Sequence, residues 1–138
     1  MVLSIFRLRT HKAKYRFCLI TAIERFRDAI SHLQDALSVF TSLGLTLNEA
    51  MAENCLGEAY LRMGDLDHAE EWLLAAIDSA RRSPSRYEEA RAMRSLGEVT
   101  LTRGDQDGAV ARWQDALDIY AEISAPEAAQ LSDRMSLS

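Results

Sequence analysis

The sequence predicts an all-α fold: a solenoid of antiparallel helix pairs, about three repeats long, closed by a C-terminal capping helix. Three observations carry this. The chain resembles itself at an offset of 40 residues, and a fixed period of that size marks a stacked array of supersecondary units. Alanine, leucine, glutamate and arginine dominate the composition; these are strong helix formers. Only six glycines and two prolines occur in 138 residues, too few for long loops or many-stranded folds. Finally, Gly-Asp recurs at Gly64-Asp65 and Gly104-Asp105. The glycine suits the left-handed residue that ends one helix, and the aspartate caps the next by accepting from its free N–H groups.

At the 40-residue offset Ala29, Ala69 and Ala109 coincide, as do Ala36, Ala76 and Ala116. Leu33 and Leu73 align with Trp113, and Leu56-Gly57-Glu58 aligns with Leu96-Gly97-Glu98. In "EAMAENCLGEAYLRM" the apolar residues Met51, Cys55, Leu56, Ala59, Tyr60 and Met63 fall three and four apart. That builds one stripe of a helix. Leu66, Ala69, Leu73, Ala76, Ile77 and Ala80 build another in "LDHAEEWLLAAIDSA". A turn as short as Gly64-Asp65 makes the two helices antiparallel neighbours. The small residues Gly57, Ala69 and Ala76 then let their backbones approach closely.

The elements follow in order. Residues 1–24 form a basic leader and a degenerate first helix over about 10–24, and the repeat domain covers 25–138. Paired helices are expected over about 26–42, 47–63, 66–82, 86–103 and 106–123, giving units at about 10–43, 47–82 and 86–123. Ser85-x-x-Glu88 and Ser124-x-x-Glu127 read as capping boxes. The second of these starts a cap over about 125–135, which shields the open apolar end of the array. "RMSLS" is expected to fray.

The net charge of −5 is uneven, because Arg7, Arg9, Lys12, Lys14 and Arg16 crowd the first 20 residues without an acid. The acidic remainder argues against direct nucleic-acid binding, which needs a broad basic face. No stretch approaches 18 uncharged apolar residues, so no membrane span is expected. Cys18 and Cys55 sit among apolar neighbours without a CxxC, the usage of a reducing, cytoplasmic compartment. His11, His32 and His68 are not at metal spacing, and neither a partnered Ser/His/acid set nor a phosphate loop is present. Catalytic residues, metal and cofactor are therefore all expected to be none. Glu70-Glu71 and Glu88-Glu89 read as exposed helix faces, and Arg103-Gly104-Asp105 as an interhelix turn. Trp113 holds a core position, while Trp72, one position out of phase, packs at a unit interface or stands partly exposed.

"LGEAY…GDLDHA" resembles the tetratricopeptide repeat: Leu56-Gly57 and Tyr60 match its first helix, Gly64 its turn, and Ala69, Leu73 and Ala76 its second helix. Leu96, Gly97, Gly104, Ala109, Trp113 and Ala116 match the next copy. Glu53 stands where the family often has Trp, Thr100 replaces the Tyr, and Arg16-Phe17 replaces the first Leu-Gly. The longer period resembles the variant of kinesin light chains. It also resembles the C-terminal arrays of bacterial signal-transduction ATPases and actinobacterial transcriptional regulators, in which DNA- and nucleotide-binding domains lie upstream.

The resemblance implies a non-catalytic protein–protein interaction module, the repeat portion of a regulatory protein. It would hold a protein or peptide segment in a concave groove lined by first helices. The alternative is a peptide-sensing domain that changes curvature on binding. Packing on a parent domain or on another copy is a further use of the surface. The face opposite the packing stripe gives the expected groove residues: Met51, Asn54, Glu58 and Arg62 in unit two, and Arg91, Arg94, Glu98 and Leu101 in unit three. Arg91 and Arg94 offer forked donors to a carboxylate.

Overall fold

The computed structural model describes residues 2–137, with side chains described at 16 and over 18–137. Among these the chain is helical and has no strand. The elements are α1 (Val2–Leu43), α2 (Thr46–Met63), α3 (Leu66–Arg82), α4 (Arg86–Thr102), α5 (Gln106–Glu122) and α6 (Glu127–Leu137). Each packs on its sequence neighbour, so α2/α3 and α4/α5 are stacked hairpins, flanked by α1 and α6.

The turns form as their residues dictate. Gly64 takes φ 81° and Gly104 φ 91°. The Asp65 carboxylate accepts from the His68 N–H at 3.3 Å, and Asp105 from the Gly108 N–H at 2.9 Å. A second family of turns, after each second helix, was not legible. Leu45, Ser85 and Ala125, spaced by 40, donate their N–H to Phe40, Ala80 and Tyr120 at 2.8–2.9 Å. Gly44, Pro84 and Ser124 precede them, so backbone geometry repeats where residue type does not.

Small residues set the crossings. Ala69, Ala76, Ala109 and Ala116 are fully buried. A Cβ added to Gly57 would meet Leu73 Cγ at 2.5 Å, and one on Gly97 would run into the Trp113 ring. Trp113 fills the core slot, while Trp72 packs against the Ile30, Leu56 and Ala59 cluster that joins α1 to α2.

Three expectations are corrected. The separate helices over 10–24 and 26–42 are one continuous helix, α1, about 63 Å long at 1.5 Å per residue. "RFCLITAIERFRDA" (16–29) contains no glycine or proline to break it. Ser124 does not cap α6: it adopts φ 54° and closes α5, and the Glu127 carboxylate accepts from the Tyr87 hydroxyl at 2.7 Å. Helix α6 spans Glu127–Leu137 rather than about 125–135. Ser138 and the side chains of His11, Arg7, Arg9, Lys12 and Lys14 lie outside what is described.

Candidate functional site: a groove across α2, α4 and α6

The array bends toward its first helices. The backbones of α2 and α4 touch, whereas those of α3 and α5 do not. The concave side is therefore the α2/α4 side, and it holds a groove of about 470 Å³. Helix α2 contributes Glu58, Leu61 and Arg62, and α4 contributes Arg94, Ser95 and Glu98. The third wall is Gln130, Leu131 and Arg134 of α6. Sequence reasoning treated α6 only as a lid.

Four of the eight expected groove residues, Glu58, Arg62, Arg94 and Glu98, line this groove together. The other four do not. Asn54 is completely buried and acts as a strut. Its Nδ2 donates to the Glu88 backbone oxygen at 3.1 Å and to Glu88 Oε2 at 2.8 Å, tying α2 to α4. Leu101 packs against the Ala90, Ala109 and Trp113 core. Met51 is 44% exposed and lies outside the groove.

Arg91 is engaged internally. Its Nε and Nη2 donate to the two oxygens of Glu58 at 2.9 and 3.0 Å, and Nη1 reaches Glu88 at 3.4 Å. Burial alone would lower the Arg91 pKa, but the Glu58 hydrogen bonds and charge outweigh it and hold the group above its ordinary value. Glu88 and Glu89, expected on exposed faces, are buried. Glu89 accepts from Arg81 at 2.8 Å and Arg86 at 3.0 Å. Arg103 of the turn binds Asp67 and Glu70 of α3, so that arginine is turned inward on the array.

The groove's charge balance follows. Glu58 is taken by Arg91, and Glu98 by Arg134, whose guanidinium also lies 5.0 Å from the Trp113 ring centroid. Arg62 and Arg94 make no ion pair among the described residues. An acidic chain thus presents two guanidinium groups outside any ion pair in a groove that joins three helices. Apolar contact is available beside them at Leu61 and Leu131.

The internal pairs had a signal. Glu58–Arg91 and Glu70–Arg103 are both 33 residues apart, and Glu98–Arg134 and Asp67–Arg103 are both 36 apart. Opposite charges at these separations mark contacts between adjacent units. Among the described residues no cluster of three or more His, Cys, Asp and Glu could hold a metal, and no helix is long and apolar enough to cross a membrane.

Residues 48–122 match the tetratricopeptide repeat family. The match runs from early α2 to the end of α5, the two complete hairpins. The Tonsoku-like protein of Drosophila melanogaster is 30% identical to this chain over 80 residues. Those residues are 58% of this chain and 6% of that protein, so the chain spans a small part of the length of the relative it matches.

Proposed function

We propose that this chain, which belongs to the tetratricopeptide-repeat family, is an interaction module whose concave groove grips an acidic segment of a partner protein. Repeats of this family mediate protein–protein interaction and are non-catalytic scaffolds, so the groove is a surface for binding. The carrying observation is that Arg62 and Arg94 line the groove without an ion pair among the described residues, Arg94 feeling Glu127 only at longer range, while Arg91 and Arg134 are paired. Each free guanidinium offers a planar fork to a carboxylate. Leu61 and Leu131 supply the apolar floor against which a neighbouring side chain of the segment packs. The resemblance of the connectors to regulator tails supports placing the module within a regulatory protein. Two free thiols, Cys18 and Cys55, support a reducing cytoplasmic setting.

The test is calorimetric titration of the chain with Glu/Asp-rich peptides and with charge-reversed Lys-rich ones. Acidic peptides should saturate one site, and raising salt should weaken them, because the contacts are partly exposed charges. Arg62→Ala and Arg94→Ala should each cost about tenfold in affinity, or ~1.4 kcal/mol, near the value of a hydrogen bond to a charged group. Equal binding of Lys-rich peptides, or indifference to both substitutions, refutes the reading.

A further inference from the structure

Helix α1 carries a seat that no helix of the chain fills. In unit two, α3 packs on its first helix through a face that includes Ala69, Ala76 and Ser79, none more than 1% exposed. Forty residues earlier the same register is Ala29, Ala36 and Val39. Here the alanines are only half-buried and Val39 is 53% exposed. Helix α2 covers a neighbouring face of α1 through Ile30 and Leu37, and Phe26 and Leu33, partly buried, sit on the border between that face and the open one. The uncovered side forms a cleft with α2, about 210 Å³ beside Ala29, Leu33, Cys55 and Ala59, with Glu58 and Arg62 at its α2 edge. An apolar hollow of about 480 Å³ beside Cys18, Ala22 and Phe26 continues it.

The chain's own upstream residues do not fill this seat. They belong to the same continuous helix. They also carry Arg16-Phe17 where the first helices of the other units have Leu-Gly. At that crossing even the Cβ of an alanine would meet the facing leucine at 2.5 Å. The seat is thus open to a helix of another molecule.

We propose that it is α1 of a second copy, packed antiparallel about a two-fold axis near residue 31. The open face repeats with alternating spacings of three and four from Leu19 to Leu43, which is a heptad seam. Large residues Leu19, Phe26, Leu33 and Phe40 alternate along it with Ala22, Ala29 and Ala36. Antiparallel pairing about residue 31 sets every alanine opposite a large side chain: Ala22 faces Phe40, Ala29 faces Leu33 and Ala36 faces Phe26. Leu19 and Leu43, 61% and 65% exposed in the single chain, meet at each end. A parallel pair would instead stack alanine on alanine and phenylalanine on phenylalanine, alternating gaps with clashes.

The antiparallel polarity is also that of α2/α3 and α4/α5, so the contact continues the packing already used along the array. The interface is isologous and closes at two copies. Arg62 lines both this cleft and the groove, whereas Arg94 lines the groove, so the mass is measured without peptide, and the leucine substitutions and Arg94→Ala separate the two readings.

The test is the mass of the full chain in solution by sedimentation equilibrium. A species of twice 15.5 kDa is expected. Leu19→Glu combined with Leu43→Glu, both at exposed positions, should weaken dimerisation at least tenfold with helicity unchanged by circular dichroism. Val39→Lys provides the same readout should that pair disturb folding. For register, with Cys18 and Cys55 changed to serine, His32→Cys near the axis should be joined between copies by a short bis-maleimide, and Gln34→Cys on the far side should not. A monomer at all concentrations, a dimer indifferent to these charges, or cross-linking through position 34 but not 32 overturns the proposal.

Discussion

Replacing Gly97 with alanine isolates the contact that sets the α4/α5 crossing. In an ordinary helix interior the exchange is favourable by about 0.5–1 kcal/mol, because alanine loses less backbone freedom than glycine on folding. Here the new methyl points into the Trp113 ring, with Cε2 only 3.0 Å away and two other ring atoms closer. The ring has little room to retreat. It is 1% exposed, and its Nε1 donates to the Arg94 backbone oxygen at 3.1 Å. Overpacking a filled core costs about 1–3 kcal/mol, and loss of the indole hydrogen bond adds about 1 kcal/mol. The balance is a destabilisation of roughly 2 kcal/mol, or ~6–10 °C for a domain of this size. Thermal and urea denaturation followed by circular dichroism measure it. A variant as stable as the parent, or more so, would show that helix propensity dominates and that close approach at Gly97 does not set the crossing.

Other outcomes follow from the same geometry. Ala109→Leu, at a fully buried site, should lower Tm by several degrees, whereas Ala111→Leu, two residues on and exposed, should leave it nearly unchanged; equal effects contradict the packing face. Asn54→Asp places a carboxylate against that of Glu88 in a buried site, so Tm should fall strongly at pH 7 and recover as acid protonates one of the pair. Glu53 is 8% exposed, and burial, reinforced by Glu49, raises its pKa above the ordinary 4.5 despite Ser79 and Arg82. The fold therefore favours its protonated form: stability is greatest below about pH 4.5, declines as pH rises from there through the folded value, and is level beyond it. Glu53→Gln should accordingly raise Tm at pH 7, with the gain vanishing near pH 4; a gain independent of pH would assign it to something other than ionisation.

What could be read from the sequence was local or periodic. The Gly64-Asp65 and Gly104-Asp105 turns, the two central hairpins and the fully buried Ala69, Ala76, Ala109 and Ala116 follow from residue type at fixed spacing. Helix α1 was misread because the period was extended upstream of its own marks. Arg16-Phe17 is not Leu-Gly, and without a breaker the helix runs on. The groove was half legible. Facing positions on α2 and α4 gave Glu58, Arg62, Arg94 and Glu98, but helical phase alone cannot separate an outward face from one turned to the next unit. Asn54 thus sits buried against Glu88, and Arg91 reaches Glu58 rather than solvent. The α6 wall was missed because the Arg134–Glu98 bond depends on how the last helix docks, which no local pattern encodes.

The central claim is that stacked hairpins curve around α2 and α4 to make one acidic-segment groove. Backbone amide NMR during titration with a Glu/Asp-rich peptide tests it most directly. Saturable shifts concentrated on Leu61, Arg62, Arg94, Ser95, Gln130 and Leu131 are predicted, with the α3 and α5 outer faces unmoved. Shifts centred on α3 and α5, or no saturable shift at all, would contradict it.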